Sequence, residues 1–483
     1  MKKTIVCVAI SLLMAVSAWS WDDHDQLTLT ALAGHAAVGG SVLAEDLSAF
    51  LEDTAAELAE FLDTLEERMA ASLPGYPRRP DNLALDPALR ADDLVMSFMR
   101  AIRVNPDRPF VLFIQPPANA YRDPALEDLP LETVDVFKGR FPNQPFQALR
   151  AGQSVPALTV VATASDEPDY GMDLGLWDDN GTAYGARYAF GPQPFGNPAL
   201  IYGSQAPFHM TFPREDPIIT AAAPFVGRGL AHYRVTLYTE LARFAFAHGH
   251  DYWGWRFAGW AIHYLEDMAM PYHARLMPGK GTLGMLTLYG LGTQADIDGA
   301  VVLLSNRHML LEDFQYRLTS NLAGNPALAT ALAEGSQRPV AWRDFFAYDV
   351  AAAAAYKRGP AIDKLIVKAF PERYSSDPSY DFGADPDKPL YDSLAAARSA
   401  QPDAAASLET SLVDIMRDVG DYVRAYVDYV SDPDAVLGAR RAPLDLRLPA
   451  YGLFLASVLA LLVILVAAVV RGAKRAMATG RGK

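Results

Sequence analysis

Apolar residues recur at intervals of three and four over long stretches of the chain, and this period predicts helices. The pattern covers residues 43–69, 91–102, 226–247, 252–270, 297–319, 340–357 and 404–430. The first of these segments also carries an acidic outer face, which is typical of an amphipathic helix at a protein surface. The chain is therefore predicted to form an all-α domain of many helices.

The segments between these helices are rich in residues that favour turns. Residues 73–152 are rich in proline, and residues 177–213 and 370–391 are predicted to be irregular. Residues 279–292 are glycine-rich and contain four leucines. We interpret this last stretch as a buried connection, with a loop that meets acyl chains as the alternative.

The first 20 residues have the pattern of a secretory signal peptide. Two lysines are followed by an apolar run and then by small residues at the positions that a signal peptidase recognises. Cleavage is expected after Ser20. The only cysteine, Cys7, lies within this segment. The mature chain is therefore predicted to contain neither disulfides nor thiolate ligands.

The other end of the chain has the pattern of a membrane anchor. Residues 449–470 carry no charge and are long enough to span a hydrocarbon core of ~30 Å as one transmembrane helix. The basic residues of the tail, 471–483, are expected to stay in the cytoplasm. Residues 21–448 are thus predicted to form a membrane-anchored domain outside the cytoplasm, on the periplasmic or cell-surface side.

The composition adds a strong acidic charge to this domain. The formal net charge of the whole chain is −15. Without the two lysines of the signal and the five basic residues of the tail, 35 basic side chains remain against 57 acidic ones, which gives −22. Such a surface disfavours nucleic acid as a substrate, unless bound metal reverses the charge of a cleft.

Two pairs of residues have the spacing of metal ligands on a helix. His263 and Asp267 are four residues apart, and so are His308 and Glu312. Residues at this spacing lie on one face of a helix and can bind the same ion. Imidazole and carboxylate ligands without thiolate suit Zn²⁺ in an open, catalytic site. A single pair of this kind is more often a surface pair that supports its helix.

A proline follows the first pair and places a further histidine near it. Pro271 has no N–H, and its ring would collide with a helical carbonyl, so the helix should kink or stop there. His273 then leaves the helical path and can face a neighbouring ion.

The predicted N-terminus of the mature chain also offers metal ligands. Cleavage after Ser20 makes Trp21 the first residue, and its α-amino group and carbonyl can close a five-membered chelate ring. His24 is near enough to add a third contact. Taken alone, His24 is more readily explained as an ordinary residue at the start of a helix.

These residues together resemble the zinc-dependent phospholipase C family, which shares its fold with the single-strand-specific zinc nucleases. The resemblance rests on an N-terminal Trp near a His, on His-Tyr-Leu-x-Asp followed by Pro-x-His-Ala, and on His-x3-Glu. It is tight over residues 21–32 and 261–274 and loose elsewhere. It implies a phospholipase C or zinc nuclease-like fold with three zinc ions, in which residues 73–152 are an insertion. The nucleases usually end the last pair in Asp, so Glu312 favours the phospholipase branch.

The resemblance requires one more Asp and one more His before the long motif. His209 is the only histidine at a suitable place. Asp166 is the preferred aspartate, although Asp169 and Asp173 compete with it in an acidic segment that also contains Pro and Gly. His248 and His250 have the wrong spacing for a known metal motif and are interpreted as residues at a helix end.

The resemblance also implies a ligand set for each ion. One ion would be held by Asp166, His209, His263 and Asp267, a second by Trp21, His24 and Asp267, and a third by His273, His308 and Glu312. Asp166 is also the candidate acceptor for the proton of the attacking water.

The function that the resemblance implies is hydrolysis of glycerophospholipids to diacylglycerol and a phosphorylated headgroup. The expected substrate is therefore phospholipid, and the expected membrane contact is the C-terminal helix. The alternative is a single-strand nuclease or 3′-nucleotidase of the same fold. A metal-binding envelope protein without catalytic activity is a third possibility, but the full series of ligand types in order argues against it.

Overall fold

A computed structural model describes most of the chain between its two ends. The described residues are 23–73, 75–116, 123–136, 146–196, 201–338, 340–385 and 391–438. Outside them lie the predicted signal peptide at 1–20, Trp21, the predicted span at 449–470 and the basic tail at 471–483. Within the described ranges, no helix combines the length and the apolar character needed to cross a membrane.

Helices make up most of the described residues, as the apolar period predicts. The helices are α1 (His24–Ala31), α2 (Leu47–Ser72), α3 (Ala91–Ala101), α4 (Ala157–Asp166), α5 (Gly185–Tyr188), α6 (Ala206–His209), α7 (Pro217–Ala222), α8 (Ala231–Ala247), α9 (Asp251–Asp267), α10 (Pro271–Ala274), α11 (Thr282–Leu291), α12 (Gln294–Thr319), α13 (Pro326–Glu334), α14 (Ala352–Ala369), α15 (Glu372–Ser375), α16 (Ser393–Ala400) and α17 (Pro402–Ser431). A π-helical turn, Ala347–Ala351, leads into α14.

Among the described residues, five short strands that the sequence pattern does not predict form two small sheets. The strands are β1 (Ser41–Leu43), β2 (Phe113–Ile114), β3 (Asp128–Leu129), β4 (Phe146–Ala148) and β5 (Ser154–Pro156). Strand β1 pairs antiparallel with β5, with Val42 opposite Val155. In the second sheet β4 lies between β2 and β3 and is antiparallel to both. The proline-rich residues 73–152 thus contain α3 and the whole of the second sheet.

Helix α9 is enclosed by its neighbours along its whole length. Every residue after its first is buried, and the helix contacts α8, α4, α17 and α1. Aromatic side chains such as Trp253, Phe257 and Trp260 allow this burial, because they leave the helix without a charged outer face. The helix carries His263 and Asp267 at its C-terminal end, so it places both side chains deep inside the molecule.

The close contact between α9 and α4 depends on Gly259. A Cβ atom at this position would lie 2.5 Å from the Cβ of Ala164 and 2.5 Å from the carbonyl oxygen of Val161. Glycine has no side chain, so it allows the two backbones to approach closely. The approach brings the end of α4 beside His263, whose Nδ1 donates to the carbonyl of Ser165 at 2.8 Å.

Helix α17 connects the last part of the described chain with the first. It contacts α1, α8, α9, α13 and α14. The guanidinium of Arg424 donates to the carbonyl oxygens of Ala31 at 3.0 Å, Leu332 at 2.6 Å and Ala333 at 3.0 Å. Carbonyls in the last turn of a helix lack partners within the helix. One side chain therefore caps the C-terminal ends of both α1 and α13.

The interpretation of residues 279–292 as a buried connection is wrong. They contain α11, and two of its leucines are largely exposed, Leu283 at 77% and Leu291 at 85%. A short apolar segment cannot be assigned to a buried or an exposed position by its period alone.

Candidate metal centre

Eight buried side chains form three groups whose nitrogen and oxygen atoms face one another. The groups are His24 with His263 and Asp267, Asp169 with His209 and His263, and His273 with His308 and Glu312. Within each group, one ligand atom from each residue lies within 4.8 Å of the others. We call these eight residues the metal centre, because each group can hold a metal ion.

Asp267 lies in the middle of the metal centre. Its Oδ1 is 3.0 Å from Nδ1 of His273 and 4.0 Å from Nε2 of His24. Its Oδ2 is 3.0 Å from Nδ1 of His209 and 3.4 Å from Nε2 of His263. Because the two oxygens face different pairs of imidazoles, this carboxylate is placed to bind two ions at once.

The helix stops before Pro271, as the sequence predicts. Helix α9 ends at Asp267, and Pro271 is the first residue of the short helix α10, where a missing N–H costs no hydrogen bond. This break turns His273 back toward the end of α9. Its Nε2 lies 3.4 Å from Oε1 of Glu312, so His273 stands between Asp267 and the third group.

The third group contains a pair on one face of α12, as the spacing predicts. Nε2 of His308 lies 2.8 Å from Oε1 of Glu312. The imidazole of His308 stacks on the ring of Tyr272, with centroids 5.4 Å apart and planes at 9°. The hydroxyl of Tyr272 donates to Asp363 of α14 at 2.9 Å. Three helices therefore fix the orientation of this group.

Asp169 occupies the position for which the sequence favours Asp166. Its Oδ1 lies 3.8 Å from Nδ1 of His209 and 3.8 Å from Nε2 of His263. After α4 ends, a 3-10 turn spans Glu167–Tyr170. This tighter turn carries Asp169 to the side of the backbone that faces the two histidines.

Asp166 lies next to the metal centre but in none of its three groups. Its Oδ1 accepts a hydrogen bond from the backbone N–H of Asp25 at 3.2 Å. Its Oδ2 accepts from the side-chain amide of Gln115 at 2.6 Å and from the hydroxyl of Tyr170 at 3.3 Å. The structure therefore brings Asp169, and not Asp166, together with His209 and His263. It also brings the proline-rich residues 73–152 to the site, because Gln115 directly follows β2.

Glu266 is a neighbour of the metal centre that sequence reasoning missed. Its carboxylate lies 2.6 Å from Nδ1 of His24 and accepts from the hydroxyl of Thr28 at 3.1 Å. A carboxylate on the far nitrogen of a metal-binding histidine fixes the ring and its tautomer. The one available signal is an acidic residue beside Asp267 in a helix that is otherwise apolar and aromatic.

Asp173 gives similar support to His209. Its Oδ2 lies 3.5 Å from Nε2 of His209 and accepts from the hydroxyl of Tyr264 at 2.6 Å. Its Oδ1 accepts two hydrogen bonds from the guanidinium of Arg234, at 2.5 and 3.0 Å. Burial would raise the pKa of the Asp173 carboxyl, but Arg234 holds it below its usual value. This group is therefore a carboxylate at neutral pH.

The charges in the metal centre hold protons on two imidazoles. Burial would lower the pKa of His209, but its hydrogen bonds to Asp173 and Asp267 outweigh burial and raise the pKa to about 10. Asp267 likewise overcomes burial at His273 and raises its pKa to about 9. In return, His273 and His263 hold the pKa of Asp267 well below its usual range despite burial. A metal cation would take the place of these protons.

Several candidate ligand atoms in the metal centre make no well-aligned hydrogen bond, although ion-pair contacts bring some of them as close as 2.8 Å. They are Nε2 of His24, Oδ1 of Asp267, Nδ1 of His273, both ring nitrogens of His308 and both carboxylate oxygens of Glu312. Buried polar atoms in proteins nearly always have partners. These atoms face one another and are all nitrogen or oxygen, so the residues fit divalent cations.

His248 and His250 lie outside the metal centre, as their spacing predicts. Nδ1 of His250 is 2.9 Å from Glu45, and its Nε2 is 3.2 Å from Asp53. His248 is exposed, and its Nδ1 donates to the carbonyl of Phe244 at 2.8 Å. Both residues border the turn between α8 and α9, in agreement with their interpretation as residues at a helix end.

Seven of the nine predicted ligands lie in the metal centre, Asp166 lies beside it, and Trp21 is outside the described residues. Comparisons of the chain with protein-family models, with curated proteins and with solved structures found no match.

Proposed function

We propose that the protein is a zinc-dependent phospholipase C, a phosphoric diester hydrolase that acts on glycerophospholipids. The observation that carries the proposal is the convergence of three buried groups of imidazoles and carboxylates on Asp267. Zinc is the favoured ion, because a catalytic zinc site uses nitrogen and oxygen ligands and leaves a position open. One ion for each group gives three. Trp21 remains the proposed additional ligand for the group that contains His24.

Zinc, when bound, lowers the pKa of a water molecule toward ~7 and offsets negative charge on a phosphate. The protein's own part is to hold the ligands in place before the reaction. Glu266 orients His24, and the carbonyl of Ser165 orients His263, so Nε2 of each ring faces Asp267. Ligands that are already oriented need no rearrangement as charge develops on the substrate.

The reaction requires a bond between a water oxygen and phosphorus, loss of the bond from phosphorus to the diacylglycerol oxygen, and transfer of a proton to that departing oxygen. The attacking water must give up a proton. The resemblance assigns this proton to the ligating aspartate, and Asp169 is the aspartate that faces His209 and His263. We therefore propose Asp169 as the acceptor in place of Asp166.

Phospholipid is the proposed substrate for two reasons. Glu312, which ends the last ligand pair, is the residue type of the phospholipase branch. Residues 449–470 are proposed to anchor the chain in a bilayer, with the catalytic domain outside the cytoplasm and a signal peptide removed after Ser20. The acidic composition of the domain disfavours nucleic acid.

The test uses the full-length chain in detergent micelles, loaded with zinc. Mixed phospholipids and single-stranded DNA are supplied together, and released phosphorylated headgroup and cut DNA are both measured. The His263→Ala variant removes a residue shared by two ligand groups. The matched control is His248→Ala, which removes an exposed histidine outside the metal centre.

We expect headgroup release from the wild type and from His248→Ala, and a loss of at least about a hundredfold in His263→Ala, as for removal of a group that stabilises developing charge. DNA cleavage without headgroup release would replace the proposal with a nuclease of the same fold. Activity that His263→Ala leaves unchanged would show that the metal centre is not the active site.

A further inference from the structure

Helix α11 presents an outer face that carries no charge. Its sequence is Thr-Leu-Gly-Met-Leu-Thr-Leu-Tyr-Gly-Leu, and Leu283, Thr287 and Leu291 share one face at intervals of four. All three side chains are exposed, the two leucines by 77% and 85%. A surface helix ordinarily covers its outer face with charged and polar residues.

Helix α7 extends this surface. Residues 217–227 contain no charge either, and Ala221, Ala222 and Pro224 are exposed. Buried Asp216 joins the two segments, because it accepts from the backbone N–H of Ile218 and, at 2.8 Å, from the hydroxyl of Thr282.

We call residues 217–227 and 281–295 the uncharged face. Charged residues make up 20% of the chain. At that average the first segment would hold about two charges and the second about three, but neither holds any. Lys280, a basic residue in an acidic protein, directly precedes the second segment.

The uncharged face lies directly above the residues that flank the metal ligands. On the inner side of α11, Met285 packs in a separate apolar cluster with Met210, Phe212, Leu276 and Met277. Met210 follows the ligand His209, and Leu276 comes three residues after the ligand His273. One layer of side chains thus separates the uncharged face from the backbone that carries two ligands.

We infer that the uncharged face enters the apolar layer of a phospholipid bilayer. This inference rests on the proposed function, because it brings the lipid substrate to the side of the metal centre. Exposed leucines on a surface without charged residues are suited to contact with lipid hydrocarbon. A protein partner with charged residues in its interface would find no ion-pair partners on the uncharged face.

The bilayer is favoured over a second copy of the chain for two further reasons. The exposed apolar side chains are few, and a stable dimer buries about 1,200 to 2,000 Å² of surface. Residues 449–470, which carry no charge, would hold the domain beside a membrane in any case. A tether keeps the domain close to the bilayer, so the insertion of only two leucines is enough for a stable contact.

A fluorescent label tests the inference independently of activity. In a full-length Cys7→Ser chain, Thr287→Cys places a single environment-sensitive label on the uncharged face, and Leu43→Cys places it at an exposed position on β1 as the control. Both proteins are reconstituted into phosphatidylcholine bilayers with and without brominated lipid.

We expect emission from position 287 to shift to the blue and to fall by roughly half with brominated lipid, as for a side chain at the acyl boundary. Emission from position 43 should not change. Equal emission at position 287 with and without brominated lipid would overturn the inference. Energy transfer between labels at position 287 on two chains, without quenching by lipid, would also overturn it, in favour of self-association.

A second pair of variants separates this inference from the proposed function. The double variant Leu283→Glu, Leu291→Glu is compared with Leu43→Glu on bilayer phospholipid and on a soluble short-chain phospholipid. We expect the double variant to lose about tenfold or more on the bilayer and nothing on the soluble substrate. Equal loss on both substrates would contradict insertion. If the wild type hydrolyses neither, the proposed function fails, while quenching at position 287 still decides whether the face meets lipid.

Discussion

At the scale of single residues, two imidazoles near Asp267, those of His24 and His263, each have one nitrogen held by a neighbouring group and the other turned to the centre. Nδ1 of His24 meets Glu266, and Nδ1 of His263 meets the carbonyl of Ser165. A hydrogen bond to one ring nitrogen decides which tautomer a histidine adopts. The nitrogen that remains is therefore fixed in position before any ion arrives.

Replacing Glu266 tests whether its contact with Nδ1 of His24 contributes to metal binding. A metal ion on Nε2 of His24 leaves the ring proton on Nδ1. The Glu266 carboxylate is placed to accept a hydrogen bond from this N–H. We expect Glu266→Gln to weaken metal binding by about 10–100-fold with little change in fold, measured by competition with a chelator. The control is exposed Glu57→Gln. Equal affinity in both variants would show that the contact has no role in binding.

The metal content of two variants tests whether Asp169 or Asp166 is a metal ligand. Asp169 faces His209 and His263, whereas the Asp166 carboxylate is occupied by hydrogen bonds to Asp25 and Gln115. We expect Asp169→Asn to lose about one ion per chain and Asp166→Asn to retain the wild-type content, as measured by elemental analysis. The opposite result would restore Asp166 as the ligand.

The raised pKa of His209 predicts how the stability of the metal-free protein depends on pH. Its pKa is about 10 in the folded chain, against an ordinary value of 6.5. The folded state therefore binds this proton more tightly, and the resulting stability is full below pH 6.5 and lost as pH rises through 10. With chelator present, the difference in Tm between the wild type and His209→Gln should shrink over this range. A difference that grows with pH would contradict the charge arrangement.

The ligands that could be predicted are those whose relation is local. His263 with Asp267, and His308 with Glu312, share a helix face at a spacing that the sequence displays directly. The choice of Asp169 depends on a 3-10 turn of four residues, which local composition does not reveal. The role of Glu266 depends on a contact with His24, 242 residues away.

At the scale of elements, the metal centre depends on how closely α4 and α9 approach each other at Gly259. We expect Gly259→Ala to cost about 1–3 kcal/mol of stability, because its Cβ would overlap the backbone of α4. Metal binding should weaken as well, since α4 leads into Asp169. Thermal denaturation and metal titration measure the two effects.

A glycine on α11 provides the control for this substitution. Gly290 has nothing within 4 Å of an added Cβ, so Gly290→Ala should leave stability unchanged or raise it by up to ~1 kcal/mol through helix propensity. Equal effects of the two substitutions would show that the contact between α4 and α9 tolerates a Cβ atom at position 259.

Helix α14 shows why an element boundary escapes prediction. The apolar pattern predicts an end at Lys357, but the helix continues to Ala369 with Pro360 inside it. Pro360 has no N–H for the carbonyl of Tyr356. The guanidinium of Arg275 donates to that carbonyl at 3.3 Å and lies over the Tyr356 ring. A residue 81 positions away thus supplies the missing donor.

At the scale of the whole molecule, helix content could be predicted because each long helix repeats its apolar period several times. The strands are two or three residues long and pair over large separations, as Val42 does with Val155, so no periodic signal accumulates. The sequence predicts no role for the proline-rich residues 73–152. Among them, Gln115 reaches Asp166 beside the metal centre.

Removing metal should affect the whole molecule, because the ligands come from six separate elements. An ion that binds the folded chain alone stabilises it by about 2.7 kcal/mol when its free concentration is 100 times Kd. We expect a chelator to lower the Tm of the wild type by several degrees and that of His263→Ala by less, because this variant keeps only the group of His273, His308 and Glu312 intact. A Tm that does not respond to chelator in the wild type would exclude tight metal binding.

The cap that Arg424 places on α1 has a consequence for biosynthesis. Helix α1 carries His24 and leaves the ribosome early, yet its last carbonyl is satisfied by a side chain 393 residues later. Contacts over such separations form only after the intervening chain is available. The C-terminal end of the helix that carries His24 is therefore capped only after residue 424 has been synthesised. A chain that is exported unfolded, as a cleaved signal peptide would allow, would form this cap only after translocation.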